Sequence, residues 1–401
     1  MLIEVHILQN HSPSNLNRDD TGSPKDAIFG GYKRARISSQ CLKRSIRRSD
    51  FFGPDIFSSL AVRTRKLPEL VRKKLLELGI SKELAEEAAK KVAEFGISTK
   101  NEKKETKKED TKKKSDSPSQ YKTAQTMFLT SHDVDTITKR IVDLITEDEK
   151  QFREIKSEEL QKQIEDKGYR PITVDVALFG RMTTSNVLID VEASSQFAHA
   201  ISTHKTDHEF DYFTAVDDLE RSLDDEGGSG ADMIGDIEFN SACYYKYFNL
   251  HVDGLIGNLT GKVFNRKVSE EDEAAARALA AAAARALIEA ACRVTPTGKQ
   301  NSFAAYQLPG LVWIEVRDKN MPVSYSNAFV EPVKPRVRDG LELASINCLK
   351  AECEKLTSMY DLQACKRLLL SKYDGIEILG VNPAKNIKVL LDELEAEVVR
   401  G

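Results

Sequence analysis

Apolar and polar positions alternate along several stretches of the chain and predict the strands of a sheet. The first strand is predicted over residues 2–9, where Ile3, Val5 and Ile7 share one face. A second strand is predicted over residues 171–179, because apolar side chains occupy every second position from Ile172 to Leu178. Further strands are predicted over residues 237–251, 301–307 and 311–317.

Other stretches repeat their apolar residues with the period of a helix. One helix is predicted to begin near Ser38 or Ser39, whose hydroxyl can accept from a free backbone N–H, and Leu42 and Ile46 then face the core. Amphipathic helices are predicted over residues 68–95 and 133–167, and residues 269–272 cap an alanine-rich helix. Residues 11–31, rich in Ser, Pro, Asn, Asp and Gly, predict a loop.

The order of these elements predicts the fold class. Strand, helix, strand, strand, helix and strand follow one another, as in the interrupted core of RRM-like (ferredoxin-like) α+β domains. A sheet of that kind is a common platform for single-stranded RNA. We expect the first part of the core in residues 1–60, a helical insertion in 61–170, a core strand in 171–194, a protruding excursion in 195–238, and the rest of the core with C-terminal helices in 239–401.

Two segments have the composition of flexible chain. Residues 100–120 hold eight lysines and five acidic residues with almost no apolar side chain, which predicts a disordered, solvated loop. Residues 224–230 are acidic and glycine-rich, which predicts a flexible tip on the excursion.

Composition indicates the cellular compartment in which the protein is expected. The 401 residues are 40% hydrophobic and 30% charged, and the longest apolar stretch is interrupted by charges, so we expect no membrane span and no membrane partner. The first residues lack the basic and apolar regions of a signal peptide. The six cysteines form no C-x-x-C pair, which argues against structural zinc and for reduced thiols. We therefore expect a cytoplasmic protein.

The distribution of charge is more informative than the net charge of −4. Residues 33–48 contain seven basic side chains and no acidic one, and two pairs of them lie four apart on the predicted helix. Such a local excess suits a phosphate backbone, although an ordinary solvated helix face explains it equally well. Donors that could add to a phosphate site at the helix start and in the preceding loop are Ser38, Ser39, Gln40, Asn17, Arg18 and Lys25.

Catalytic motifs are missing from the sequence. Gly298-Lys299 is followed by Gln300 where a phosphate-binding loop needs Ser or Thr, and no nucleophile elbow occurs. His204 and His208 stand four apart, but a third metal ligand is not evident. We therefore expect no catalytic residues, no metal and no cofactor.

Eight motifs follow one another along the chain. They are HSPSNLNRDD (11–20), KDAIFGG (25–31), RISSQCLKR (36–44), ALFGRMTTS (177–185), AHAISTH (198–204), DYFTAVDDL (211–219), KQNSFAAY (299–306) and PVSYSNAF (322–329). Together they resemble the CasC family, the backbone subunits of the type I-E CRISPR Cascade complex. The resemblance runs in order over about the first 330 residues and is weakest from residue 332 onward.

The resemblance implies a palm with a helical finger and a protruding thumb. Copies of such a subunit line up along one CRISPR RNA as a helical filament, hold its backbone, and interrupt base stacking at regular intervals. The bases between are left to pair with a target DNA strand in antiviral defence, so sequence is read by pairing rather than by protein. The implied partners are CRISPR RNA, target DNA through the guide, other copies of the chain, and the CasA, CasB, CasD and CasE subunits.

The resemblance also implies roles for individual residues. Contacts to the guide backbone fall on Asn17, Arg18, Lys25, Ser38, Gln40, Lys43, Arg44 and Lys299. Met182, Phe213 and Thr214 become the elements that interrupt stacking; the apolar pattern alone would place Met182 and Phe213 in a core. Arg47 and Arg48 extend the set from the basic stripe.

Two alternative functions remain open on the sequence. One is a metal-dependent ribonuclease on an RRM-like fold that uses His204, His208 and nearby acids. The other is an assembly protein that contains no RNA.

Overall fold

The chain forms two compact units. The computed structural model describes residues 1–53, 57, 60–96, 121–123, 125–164, 171–183, 185, 187–215, 233–334 and 340–401. The first unit combines Met1–Gly53, Gln196–Val252 and Ala281–Gly401, and the second combines Pro54–Ser195 and Asp253–Ala280. The residues predicted as a disordered loop (100–120) and as a flexible tip (224–230) lie outside the described residues.

Strands and helices alternate irregularly along the chain. The strands are β1 (Leu2–Ser14), β2 (Asp26–Phe29), β3 (Tyr32–Ile37), β4 (Val62–Thr64), β5 (Met127–Leu129), β6 (Ser195–Phe197), β7 (Ala200–Ser202), β8 (Glu209–Ala215), β9 (Met233–His251), β10 (Leu311–Arg317) and β11 (Lys366–Ser371). The helices are α1 (Ser39–Arg47), α2 (Leu67–Glu77), α3 (Lys82–Ala93), α4 (Ser131–Glu147), α5 (Glu149–Glu154), α6 (Ser157–Ile164), α7 (Val174–Phe179), α8 (Val252–Thr260), α9 (Glu270–Arg293), α10 (Gln300–Phe303), α11 (Gly340–Tyr360) and α12 (Ile387–Arg400).

A large antiparallel sheet organises the first unit. Its strands lie in the order β11-β10-β1-β9-β7-β3-β2, and β6 and β8 also pair with β9. The long strands β1 and β9 form its centre, where Leu2 is opposite His251 and Leu8 is opposite Tyr245. On its other side β1 pairs with β10, where Leu2 is opposite Arg317 and Leu8 is opposite Leu311. The mixed α/β class with an antiparallel sheet agrees with the sequence prediction.

Both faces of this sheet are covered. One face carries Leu8, Tyr245 and Trp313, which pack in one cluster with Tyr325, Phe329 and side chains of α11. The opposite face carries Ala242 and Tyr244, which pack with Leu42 of α1. Because side chains alternate between the two faces of a strand, β9 is buried on both sides. The sheet therefore offers no open platform in its centre.

A buried network of charges and hydroxyls lies on the first of these faces. The Arg317 guanidinium lies 2.8 Å from a carboxylate oxygen of Glu4 and donates to Glu315 at 2.8 Å. The hydroxyl of Tyr325 donates to Glu315 at 2.6 Å, and the backbone N–H of Val323 donates to Glu4 at 2.6 Å. Buried charges need such partners, because an unmatched one is strongly destabilising.

The second unit contains a helical cluster. Leu75 of α2, Ala88 of α3 and Ile141 of α4 belong to one buried core, and β4 pairs with β5 beside it. A buried ion pair joins Arg181 to Asp133 at 2.7 Å, and Asp133 also closes the capping box of α4. The helices predicted over residues 68–95 are confirmed, and those predicted over 133–167 are confirmed as far as residue 164, beyond which residues 165–167 lie outside the described residues.

The strand predicted over residues 171–179, as part of a core strand in 171–194, is wrong. Residues 174–179 form helix α7, and all side chains from Val174 to Leu178 are buried. The alternation was misleading because the polar position Asp175 is buried as well. Its carboxylate accepts from the backbone N–H of Ala61 at 3.1 Å and from the hydroxyl of Thr173 at 2.6 Å. The pattern therefore did not separate a core face from a solvent face.

Two further predictions need correction. The strand expected over residues 301–307 is wrong, since Gln300–Phe303 is a helical turn, whereas β10 confirms the strand over 311–317. Residues 11–31 are not a continuous loop. β1 continues to Ser14, and β2 and β3 form a hairpin whose turn is Gly30-Gly31, both with positive φ.

Among the residues that the structure describes, no helix combines the length and the apolar composition needed to cross a bilayer.

The hairpin turn yields a test of the fold. A Cβ on Gly30 would lie 2.1 Å from the backbone oxygen of Val330, whereas one on Gly31 would meet nothing within 4 Å. Both residues have positive φ, so both Gly→Ala changes carry conformational strain of about 1–2 kcal/mol. Gly30→Ala should reduce the free energy of unfolding in urea clearly more than Gly31→Ala. Equal losses would mean that the hairpin does not dock on Val330.

Candidate nucleic-acid interface

The start of α1 is tied to the loop that precedes β2. Ser38 is the N-cap, and its hydroxyl accepts from the backbone N–H of Cys41 at 3.3 Å. The backbone N–H of Ser38 donates to the side-chain oxygen of Asn17 at 2.9 Å, and the backbone oxygen of Asn17 accepts from Lys25 at 2.8 Å. Asn17 therefore brings Lys25 to the helix N-terminus.

Arg36 and His199 form a second element of this surface. The Nε of Arg36 donates to the backbone oxygen of Asp26 at 2.9 Å, and its terminal nitrogen lies 3.1 Å from Nδ1 of His199. The backbone N–H of Arg36 donates to Lys25 at 2.9 Å. Strand β3 thus presents a cation beside the helix that it leads into.

The loop that contains Lys299 packs against the segment that leads to Asn17. A Cβ on Gly298 would lie 2.5 Å from the backbone oxygen of Leu16 and 2.6 Å from that of Asn15. Lys299 follows with a φ of 51° and is the N-cap of α10. This close backbone approach brings Lys299 to the same region as Asn17.

Helix α1 separates its buried and solvent sides cleanly. Leu42 and Ile46 are buried, while Gln40 and Arg44 are exposed. Lys43 is partly buried, and desolvation lowers the pKa of its ammonium group. Arg44 and Arg47 also occupy the last turn, where a cation interacts favourably with the helix dipole. These two arginines thus have a structural role besides any contact to a ligand.

The charges that act on the thiol of Cys41, in the first turn of α1, are positive. Burial raises the pKa of the Cys41 thiol, and the charges of Lys25 and Arg44 oppose that rise. The loop before β2 contains two carboxylates, Asp19 and Asp20, and Asp19 accepts from the backbone N–H groups of Thr21 at 3.0 Å and Ser23 at 3.0 Å. Within the described ranges, no ion pair engages the basic side chains of Arg18, Lys25, Arg36, Lys43, Arg44 and Lys299. The charge of this surface is therefore not compensated internally.

Comparison with known proteins places the chain in a family. It matches the family described as CT1975-like protein over residues 3–394. The chain belongs to this CT1975-like protein family. The resemblance to the CasC family drawn from the sequence motifs is thereby confirmed.

Solved structures share the fold of this CT1975-like chain. A chain of a "CRISPR RNA-guided surveillance complex, pre-nicking" is 26% identical, with a TM-score of 0.76 over 99% of this chain and 100% of that chain. A chain of a second "CRISPR RNA-guided surveillance complex" is 22% identical, with a TM-score of 0.67 over 99% and 100%, and that likeness shows the fold alone. No curated protein matches the chain.

The remaining predicted contact residues lie elsewhere in the CT1975-like chain. Met182 belongs to the second unit and is 96% exposed, directly after the buried Arg181. Phe213 and Thr214 lie on β8 of the first unit, and the Phe213 ring lies over Gly235 of β9, its partner in the pair. Neither Met182 nor Thr214 is a core residue, and Phe213 is 38% exposed.

The two histidines of the alternative metal site take separate partners. Nδ1 of His204 lies 2.8 Å from the backbone oxygen of Lys205, and Nδ1 of His208 lies 3.0 Å from a carboxylate oxygen of Glu238. Across the part of the chain that the structure describes, no three His, Cys, Asp or Glu side chains are grouped to hold a metal ion.

Sequence reasoning missed two residues of this surface. Arg36 was counted in the basic run and His199 in a family motif, but neither was assigned to the site. Their contact joins positions 163 residues apart, so no local pattern could reveal it. Conversely, Arg34 of the same basic run is buried and donates to the backbone oxygens of Phe329 and Val330.

Proposed function

We propose that this chain is a non-catalytic, RNA-binding backbone subunit of a CRISPR RNA-guided surveillance complex of the type I-E Cascade kind. The observation that carries the proposal is the set of uncompensated cations around the start of α1, in a CT1975-like chain similar in structure to a subunit of such a complex. Its partners would be CRISPR RNA, further copies of itself and the other Cascade subunits. Its six free cysteines suit a cytoplasmic complex.

The strand order supports an RRM-like palm. Strands β10, β1, β9 and β7 are neighbours in that order, and each neighbouring pair is antiparallel. If β1, β7, β9 and β10 are counted as the four strands of a β-α-β-β-α-β core, the order is 4-1-3-2, which is typical of the ferredoxin-like arrangement. Helix α1 follows the first of these strands and α9 follows the third.

The covered sheet favours contacts to the RNA backbone over base stacking on the sheet. In an RRM, aromatic side chains on the sheet stack with bases. Here the corresponding face holds Tyr245 and Tyr247, both buried, and Tyr325 and Phe329 cover it. The exposed donors at the edge are lysines, arginines and amides, which suit phosphate oxygens. Bases held only through their backbone stay available to pair with target DNA.

Met182, Phe213 and Thr214 are proposed to interrupt stacking in the bound guide. The exposure of the Met182 side chain leaves its thioether free to contact a base. Phe213 sits on β8, which pairs with the first part of the 19-residue strand β9, and such a two-stranded ribbon can present an aromatic ring to a ligand. Apolar side chains in such positions can unstack neighbouring bases.

The proposal is tested first by the nucleic acid that the protein carries. The chain would be purified at low salt from cells that express its CRISPR locus and partner subunits. A high ratio of absorbance at 260 nm to that at 280 nm, with repeat–spacer RNA of uniform length on sequencing, is expected. A protein-like ratio under these conditions would contradict the proposal.

The basic side of α1 provides a second test. Replacing Lys43 and Arg44 together with Ala should weaken RNA binding and reduce the slope of log K against log salt by roughly 1.4, since each lost phosphate contact removes about 0.7 on a single strand. The matched control replaces Arg72 and Lys73, an adjacent basic pair on α2, and should leave the slope unchanged. An unchanged slope in the α1 variant would remove this pair from the interface.

Phe213 provides a third test. Phe213→Ala should abolish periodic protection of the bound RNA against ribonuclease while the far-ultraviolet circular dichroism stays native. Tyr212→Ala is the control, because its side chain is 76% exposed and points to the other face of β8. Loss of the folded spectrum in Phe213→Ala would identify Phe213 as a core residue, and unchanged protection would exclude it from the guide site.

A further inference from the structure

His199 lies beside the start of α1, although it is distant from it in sequence. Strand β3 pairs with β7 so that Arg36 is opposite Ile201 and Ile37 is opposite Ala200. The next step of this register places His199 opposite Ser38, the N-cap of α1. The His199 side chain is exposed on this edge.

The contact with Arg36 fixes which ring nitrogen of His199 can donate. A guanidinium has no acceptor, so at 3.1 Å the Arg36 nitrogen donates and Nδ1 of His199 accepts. The proton of the neutral imidazole is then on Nε2. No hydrogen bond or ion pair within the described ranges engages Nε2 of His199. An oriented N–H donor is therefore left exposed next to the N-cap of α1.

The charges around this ring favour its neutral form while the site is empty. Burial lowers the pKa of His199, and the positive charges of Arg36 and Lys25 lower it further. The nearby carboxylate of Asp26 is held by Lys33 at 2.9 Å and faces His208 at 3.7 Å. The first turn of α1 contains no acidic residue, and its cap Ser38 and exposed Gln40 are uncharged.

We propose that His199, oriented by Arg36, donates its Nε2–H to a non-bridging phosphate oxygen of the guide RNA at the start of α1. The inference rests on the proposed function and adds a residue to its binding surface. A phosphate is the group that suits this position, because it would accept from Nε2 and face Arg36 and Lys25 at the same time. Arg36 is then a positioning residue while His199 is neutral, and a cation for the phosphate in either state of the imidazole.

The contact predicts proton uptake on binding. In the free protein the neighbouring cations disfavour the imidazolium, whereas a bound phosphate favours it. The proton taken up goes to Nδ1, which then no longer accepts from Arg36, and the Arg36 guanidinium donates to the phosphate instead. The pKa of His199 is therefore higher in the complex than in the free chain. Between these two pKa values, binding takes up a proton, so affinity rises as the pH falls and levels off below the lower value.

The test compares affinities at pH 8 and pH 6 at constant ionic strength. The full chain would be titrated into a fluorescein-labelled single-stranded RNA, as wild type, His199→Gln and His199→Ala. The wild type should bind at least threefold more tightly at pH 6. His199→Gln keeps an N–H donor but cannot titrate, so it should match the wild type at pH 8 and lose the pH effect. His199→Ala should bind about 5- to 10-fold more weakly at pH 8, the loss of one hydrogen bond to a charged group at an exposed site.

The outcomes separate this inference from the proposed function. His132→Gln, on the exposed start of α4, is the control and should keep the wild-type response to pH. If the wild type binds RNA but His199→Gln keeps the pH effect, or His199→Ala binds normally, the inference is overturned and the proposed function stands. If the wild type does not bind RNA, both fail. Circular dichroism tests whether each variant is folded. If His199→Ala does not fold, the pH response of His199→Gln alone decides the inference.

Discussion

The basic surface around the start of α1 depends on one constraint, the buried ion pair between Glu4 and Arg317, whose side chains lie 2.8 Å apart. Charges taken out of water need partners. The segment after β10 supplies two donors: the backbone N–H of Val323 donates to Glu4, and the hydroxyl of Tyr325 donates to Glu315, which is paired with Arg317. That segment must therefore lie across the sheet. Burial raises the pKa of Glu4, and the N–H of Val323, the hydroxyl of Tyr247 and the charge of Arg317 oppose that rise. Burial would also raise the pKa of Glu315, but Arg317 and the neighbouring donors hold it below its usual value, so Glu315 keeps its charge.

The same covering segment positions the edge of the sheet. Just beyond Tyr325, the backbone oxygens of Phe329 and Val330 accept from the guanidinium of Arg34 at 2.8 Å and 3.0 Å. Arg34 belongs to β3, so these bonds hold the β2–β3 hairpin against the body of the first unit. Lys25 and Arg36, joined by a backbone hydrogen bond, lie at the open end of that hairpin. The segment that covers the sheet face therefore also holds the β2–β3 hairpin, and with it the position of Lys25 and Arg36.

Local cues made part of this arrangement predictable from the sequence. The N-cap at Ser38 and the apolar side of α1 depend on residues a few positions apart, and both were predicted correctly. The segment around Asp175 was mistaken for a strand because its buried carboxylate bonds to Ala61, 114 residues away. Arg34 was counted as a surface cation and His199 was overlooked for the same reason. Their partners are brought near only by the paired strands.

The way the cations are held explains how a chain with a net charge of −4 can present a positive surface. Carboxylate partners would orient these side chains but would also cancel their charge. Instead, Arg36 is oriented by the backbone oxygen of Asp26 and by a neutral imidazole, and Lys25 is placed by backbone bonds to Asn17 and Arg36. Carbonyl groups fix direction with only partial charge, so nearly the full positive charge is left for a phosphate. An edge whose cations are held in this way suits a polyanion, because no internal ion pair has to be broken first.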